Sequence, residues 1–308
     1  MPLRLLLLLV LALIAPPAAA RPFPPAAVLL AEQHAVLPMV DMPGDPARLY
    51  VRIDDPALGE RIFFVDTGYS RTTCDDDFIA ALGIEPAWTS ARSRGELGSV
   101  RLQKAALPSF SLGGHRVEGL TCAVRDLATT SSVISAPGQP TAGVLGADLL
   151  GRFVVGIDPV AGILTLADPA QWPVEEGHGV VPLRLERRHG PRMRLPVLVD
   201  GQEIWPLLDT GATRTQLDAA RLGLPLVAER EGVDRGSGAS NESTRTFRFH
   251  QAESVVLAGQ EVGPLRILDR PRARSVPGLL GQDVLGRYRL RIDATHGWVE
   301  VLPVAEGE

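Results

Sequence analysis

The chain contains the same unit twice. Residues 143–168 read GVLGADLLGRFVVGIDPVAGILTLAD and residues 278–303 read GLLGQDVLGRYRLRIDATHGWVEVLP, with ten of these 26 positions identical. Ordinary residue usage would give about two. The matched positions include Gly146/Gly281, Asp148/Asp283, Gly151/Gly286, Arg152/Arg287, Ile157/Ile292, Asp158/Asp293 and Gly162/Gly297. Three further blocks pair upstream in the same order: FFVDTGYS (63–70) with PLLDTGAT (206–213), SLGGHRVEGL (111–120) with VLAGQEVGPL (256–265), and HAVLPM (34–39) with HGVVPL (178–183). A duplication of this extent restricts the fold to two similar bodies. It divides the chain into a first unit at 33–168, a Pro-bearing linker at 169–177 and a second unit at 178–308.

Within each unit the pattern is that of short strands. RLYVRID, RIFFVD and GILTLAD in the first copy, and LPVLVD, TFRFHQ and WVEVLP in the second, alternate and are rich in β-branched residues, as half-buried strands are. Gly 31 and Pro 26 together make 57 of 308 residues, which excludes a helical bundle and calls for many turns. The helical patches are short. DDFIAALG (76–83) and DAARLG (218–223) each end in Gly, and ADLLGRF and QDVLGRY have room for a turn or two. The fold class read from this is all-β.

Each copy carries one Asp-Thr-Gly preceded by apolar residues: Val65-Asp66-Thr67-Gly68 and Leu208-Asp209-Thr210-Gly211. One such tripeptide is weak, since Asp and Gly are ordinary turn residues. Two at corresponding repeat positions are a far stronger signal. Each is followed by an apolar-apolar-Gly element: Val144-Leu145-Gly146 and Leu279-Leu280-Gly281.

These elements resemble the aspartic peptidases, in the bilobal arrangement of pepsin but with short retropepsin-like lobes. The resemblance covers nearly all of the chain after its first few dozen residues. It implies two homologous β-barrel lobes with a cleft between them and one catalytic aspartate from each lobe, Asp66 and Asp209. Two carboxylates held about 3 Å apart cannot both ionise readily, so the pair shares a proton. One member then activates a water while the other hydrogen-bonds the scissile carbonyl. The resemblance further implies that Thr67 and Thr210 bond across the pair, that Gly68 and Gly211 admit close backbone approach, and that Ser70 and Thr213 support the loops. The apolar-apolar-Gly elements are implied to cross behind them. Hairpins at 93–103 and 235–249 are either flaps over the cleft or plain surface hairpins. Tyr69 departs from the pattern, which has a small residue there, and could narrow the cleft; Ala212 keeps it. The implied partner is an extended peptide or unfolded protein, cut by a monomer carrying both lobes. A rival reading is a peptide-binding module with the same fold and no activity. A homodimerising single lobe with a degenerate copy is a weaker third.

Residues 1–20 read as an export signal: Arg4, then an apolar run Leu5–Ile14, then Ala18-Ala19-Ala20. The run is too short for a transmembrane anchor, so no stable membrane association is expected, and the protein is expected to be periplasmic or secreted. The segment 21–32 leaves no room for a long basic prosegment. Outside the cytoplasm, Cys74 and Cys122 could form one disulfide or stay as two separate buried thiols. With two Cys and six scattered His, no metal or other cofactor is expected. The net charge of −5 argues against a nucleic-acid partner. No G-x-S-x-G elbow, P-loop or G-x-G-x-x-G is present. The Arg clusters at 184–194 and 270–275 read as solvated loops.

Overall fold

The computed structural model describes residues 26–32, 34–42, 47–95, 98–127, 141–186, 191–234, 243–270 and 278–304. The export segment, the tip of the second hairpin, and most of the Arg cluster at 270–275 and of the polar loop at 128–143 lie outside the described residues. Within them the chain is a two-lobed β structure with short helices.

The first lobe is organised by a seven-stranded sheet in the order Tyr50–Asp55, Gly59–Val65, Gly143–Leu145, Thr73–Asp75, Thr121–Arg125, Gly98–Ala106, Ala87–Gly95. The second lobe repeats this order from Arg192–Arg194, Leu207–Leu208, Gly278–Leu280 and Gln216–Leu217 to Leu265–Asp269, Ser243–Ala252 and Leu226–Asp234, with Arg184–Glu186 added at its edge. Among the described residues neither sheet closes on itself. Each ends in the outer strand of a long hairpin that has no partner on its far side among the described residues, so the two β lobes are open at that edge.

In each sheet the apolar-apolar-Gly strand threads between the two strands that flank the Asp-Thr-Gly loop. Gly143–Leu145 runs parallel to Phe63–Val65 and antiparallel to Thr73–Cys74. Leu279–Leu280 runs parallel to Leu207–Leu208, and Gly278–Leu279 antiparallel to Gln216–Leu217. Such strands are covered on both faces, so they read as continuous apolar runs rather than alternating ones. The helix Asp76–Ala81 starts at Asp75, whose side chain accepts from the Asp77 amide, and Ala219–Leu222 starts at Asp218 in the same manner. Gly83 and Gly223 follow these helices with φ of 68° and 70°, the left-handed geometry expected of a helix end.

A six-stranded sheet joins the lobes. Its order is Val180–Pro182, Trp298–Pro303, Tyr288–Asp293, Val154–Asp158, Ile163–Ala167, Ala35–Pro38. Each repeat supplies three strands, and the copies meet where Val154–Ile157 pairs antiparallel with Leu290–Asp293. The matched HAVLPM and HGVVPL blocks form the two outer strands. Val155, Ile157, Leu164, Leu166, Leu290, Ile292, Val299 and Val301 are buried in this sheet, within one apolar cluster that spans both lobes. The linker is tied down: Val174 is buried, and its amide donates to the fully buried Asp293 at 3.1 Å.

Cys74 and Cys122 form a disulfide with Cα atoms 5.7 Å apart. It staples strand Thr73–Asp75, which leaves the Asp66 loop, to its parallel neighbour Thr121–Arg125. The registers map these cysteines onto Leu217 and Ile267 of the second lobe, both buried. One lobe therefore cross-links what the other only packs. Replacing both cysteines by Ala is expected to cost about 2–4 kcal/mol, read as a lower denaturant midpoint. Cys74→Leu with Cys122→Ile, which copies the second lobe, should recover part of that loss.

Candidate active site

The two Asp-Thr-Gly loops face each other at the junction of the lobes. Each begins where a buried strand ends, and its first residue is tied to the threaded strand behind it. The Asp66 amide donates to Leu145 O at 3.1 Å, and the Asp209 amide to Leu280 O at 3.2 Å. Just beyond, the Ala147 amide donates to Tyr69 O and the Gln282 amide to Ala212 O.

Thr67 and Thr210 exchange hydrogen bonds across the junction. The Thr67 amide donates to Thr210 Oγ1 at 3.0 Å, and the Thr210 amide to Thr67 Oγ1 at 3.1 Å. Each hydroxyl then donates to a carbonyl of the opposite lobe: Thr67 to Leu208 O at 2.7 Å, Thr210 to Val65 O at 2.9 Å. Both side chains are fully buried, so every one of these groups would be orphaned without its partner.

Gly68 and Gly211 bring the loops into contact. A Cβ on Gly68 would collide with the Asp209 carboxyl, and one on Gly211 with the Asp66 carboxyl. Each carboxylate is also held by its own loop. Asp66 Oδ1 accepts from the Gly68 and Tyr69 amides at 2.8 and 3.0 Å, and Asp209 Oδ1 from the Gly211 and Ala212 amides at 3.1 and 3.0 Å.

Burial, and then the neighbouring Asp209 charge, hold the Asp66 carboxyl well above its ordinary pKa. Burial also raises Asp209. In each carboxyl two loop amides and one arginine, Arg48 for Asp66 and Arg270 for Asp209, oppose the rise. The two groups titrate as a pair that shares one proton.

A second pair of carboxylates lies behind the loops. Asp148 Oδ1 accepts from the Thr72 amide and hydroxyl at 2.7 and 2.9 Å; Asp283 Oδ1 accepts from those of Thr215 at 2.8 and 2.7 Å. Each threonine hydroxyl in turn accepts from the Gly146 or Gly281 amide. The loop support expected of Ser70 and Thr213 thus falls to Thr72 and Thr215, two residues further on; the side chains of Ser70 and Thr213 make no hydrogen bond among the described residues. The repeat had matched Asp148 with Asp283 and so carried a signal for this brace. Two arginines went unsignalled. Arg48 Nε donates to Gly211 O at 2.8 Å, reaching from the first lobe to the second loop, and Arg270 acts on Asp209. Tyr69 is half-buried against the cluster of Met42, Tyr50, Phe64, Leu127 and Val144, so packing in its own lobe takes up much of the ring expected to narrow the cleft.

The Asp75, Asp76 and Asp126 carboxylates lie within 4.8 Å of one another. Both Asp75 oxygens already accept amides, from Asp77 and Leu127, so this group is explained by the start of its helix.

A family model described as aspartyl protease matches the chain twice, over residues 50–149 and 195–284. The chain belongs to the aspartyl protease family, and each match contains one Asp-Thr-Gly loop together with its threaded strand. No individual curated protein matches the chain.

Two outcomes are expected. Thr67→Val leaves the Thr210 amide and Leu208 carbonyl without partners and should cost about 2–6 kcal/mol at about 1–3 per orphaned group. Thr67→Ser, which keeps the hydroxyl, should cost only about 1; paired thermal melts compare them. For Asp66 the folded chain binds the proton more tightly than the unfolded one. Its contribution to stability is full below the unfolded carboxyl pKa and is lost as pH rises through the folded pKa. Asp66→Asn should therefore melt a few degrees above wild type at neutral pH, with the difference vanishing towards about pH 4.

Proposed function

We propose that the protein is an exported aspartic endopeptidase that hydrolyses peptide bonds through a water activated by the Asp66/Asp209 pair. The observation that carries this reading is the reciprocal approach of the two loops, which puts one buried, backbone-braced carboxyl from each lobe against the other. A peptide-binding surface alone has no need of two carboxyls at one point.

In this mechanism the ionised member of the Asp66/Asp209 pair takes a proton from a water lying between the carboxyls. The protonated member donates to the scissile carbonyl oxygen as the water attacks its carbon. The resulting gem-diol collapses as the carboxyl that took the water's proton passes it to the amide nitrogen and the other carboxyl recovers a proton from a gem-diol hydroxyl, breaking the C–N bond with no covalent enzyme intermediate. The amides on each Oδ1 and the threonine exchange hold the carboxyls in place, so little reorganisation accompanies proton movement. The hairpins Ala87–Ala106 and Leu226–Ala252 are suited to clamp an extended substrate by strand addition. The chain acts as a monomer because both loops are its own. Export rests on the pattern of residues 1–20.

A pool of unfolded proteins should be cut, and Asp66→Asn or Asp209→Asn should each lower kcat by about 10²–10⁴. Cleavage surviving either change would overturn the assignment. The pH profile of kcat/KM should be a bell whose limbs belong to the pair, the acid limb marking protonation of both carboxyls and the alkaline limb loss of the shared proton. With both carboxyls raised by burial, the alkaline limb should lie above the ordinary carboxylate range.

A further inference from the structure

Three arginines converge on a pocket of about 150 Å³ in the second lobe, lined by Arg214, Ala228, Arg230, Phe249 and Arg266. They come from separate elements. Arg214 lies on the loop that carries Asp209, and its carbonyl packs against Gly281. Arg230 lies on the hairpin strand Leu226–Asp234, on the same face as Ala228, which pairs with Phe249 of the returning strand. Arg266 lies on the next strand, opposite Gln251.

Among the described residues no acid forms an ion pair with any of the three, and only Asp283 acts on one of them, Arg214. All are exposed. The hairpin acids Glu229 and Glu231 alternate onto the other face, where Glu229 pairs with Arg248 at 2.7 Å. The acid next to Arg214 is Asp283, whose Oδ1 is committed to Thr215. The Arg230 guanidinium lies over the Phe249 ring at 5.3 Å, which fixes its plane and leaves its N–H edge available. The first lobe does not reproduce this. Arg71 corresponds to Arg214, and the register puts Lys104 at the position of Phe249. That corner holds two cations beside Asp148.

We propose that the Arg214–Arg230–Arg266 pocket receives an Asp or Glu side chain of a peptide lying in the cleft, making the enzyme acid-preferring on one side of the scissile bond. The ligand being a peptide rests on the function proposed above; its charge rests on the arginines alone. The volume suits a single side chain. Arg214 lies five residues beyond Asp209, so the element that carries one aspartate also carries one wall of the pocket. A carboxylate can accept from two guanidinium edges at once.

The test uses the full chain and fluorescein-labelled, otherwise uncharged ten-residue peptides of unfolded, mixed apolar sequence that differ only by one Glu or Gln, moved through each position. Binding to the Asp66→Asn variant is read by fluorescence anisotropy, and cleavage by wild type is read in parallel. One position should favour Glu by about tenfold. Arg230→Gln and Arg266→Gln should each bring that ratio towards one, and Arg230→Glu should shift preference towards Lys. Unchanged melting curves exclude misfolding as the cause. A ratio near one at every position, or a ratio that persists in both Gln variants, overturns the pocket. Glu-selective binding without cleavage by wild type would instead overturn the peptidase reading and leave the pocket standing.

Discussion

Thr67 and Thr210 each satisfy the other's backbone, and the geometry of both aspartates follows from that exchange. The four bonds bind the loops at their second residue, one position from each carboxyl. Neither lobe can complete the arrangement alone, because each hydroxyl donates to a carbonyl of the other lobe. The cost of orphaning buried amides and carbonyls therefore opposes separation of the loops, and with it separation of Asp66 from Asp209.

The rest of the molecule protects this junction. The inter-lobe sheet fixes the two copies through strands Val154–Asp158 and Tyr288–Asp293, and the apolar cluster beneath is continuous across them. The threaded strands hold the first residue of each loop, and Thr72–Asp148 and Thr215–Asp283 brace the loops from behind. This rigidity has an electrostatic cost. Two carboxyls confined together in a buried place resist ionisation, so the same packing that positions Asp66 destabilises its charged form. Such a conflict between stability and local chemistry is common where a site is built to react.

The copies have diverged around this shared frame. The first lobe has a disulfide where the second packs Leu217 against Ile267. The second has Gln282 in place of Ala147, and its side chain donates to Thr210 O at 2.8 Å. Arg48 reaches from the first lobe to Gly211 O and also acts on Asp66, while Arg270 of the second acts on Asp209. The frame is symmetric to within these substitutions, while the electrostatics and the lining of the cleft are not.

The β class, the duplication and the paired Asp-Thr-Gly loops were legible in the sequence because they rest on local rules. Strands show a period of two, helix ends at Gly83 and Gly223 need left-handed φ, and a copied segment keeps its spacing. The short helices after Asp75 and Asp218 were readable for the same reason. The brace was half legible: the repeat aligned Asp148 with Asp283 but offered no reason to join them to Thr72 and Thr215 rather than to Ser70 and Thr213. The pairing of Cys74 with Cys122, left open by the sequence, was decided by the parallel register of their strands. Arg48 acts 163 residues away in sequence, and Arg214, Arg230 and Arg266 meet from three elements. Such contacts depend on how sheets stack and cross rather than on backbone preference. The amino-acid sequence by itself determined the elements and the two aspartates; the tertiary structure alone decided which distant side chains surround them, because long-range packing carries no local periodicity to read.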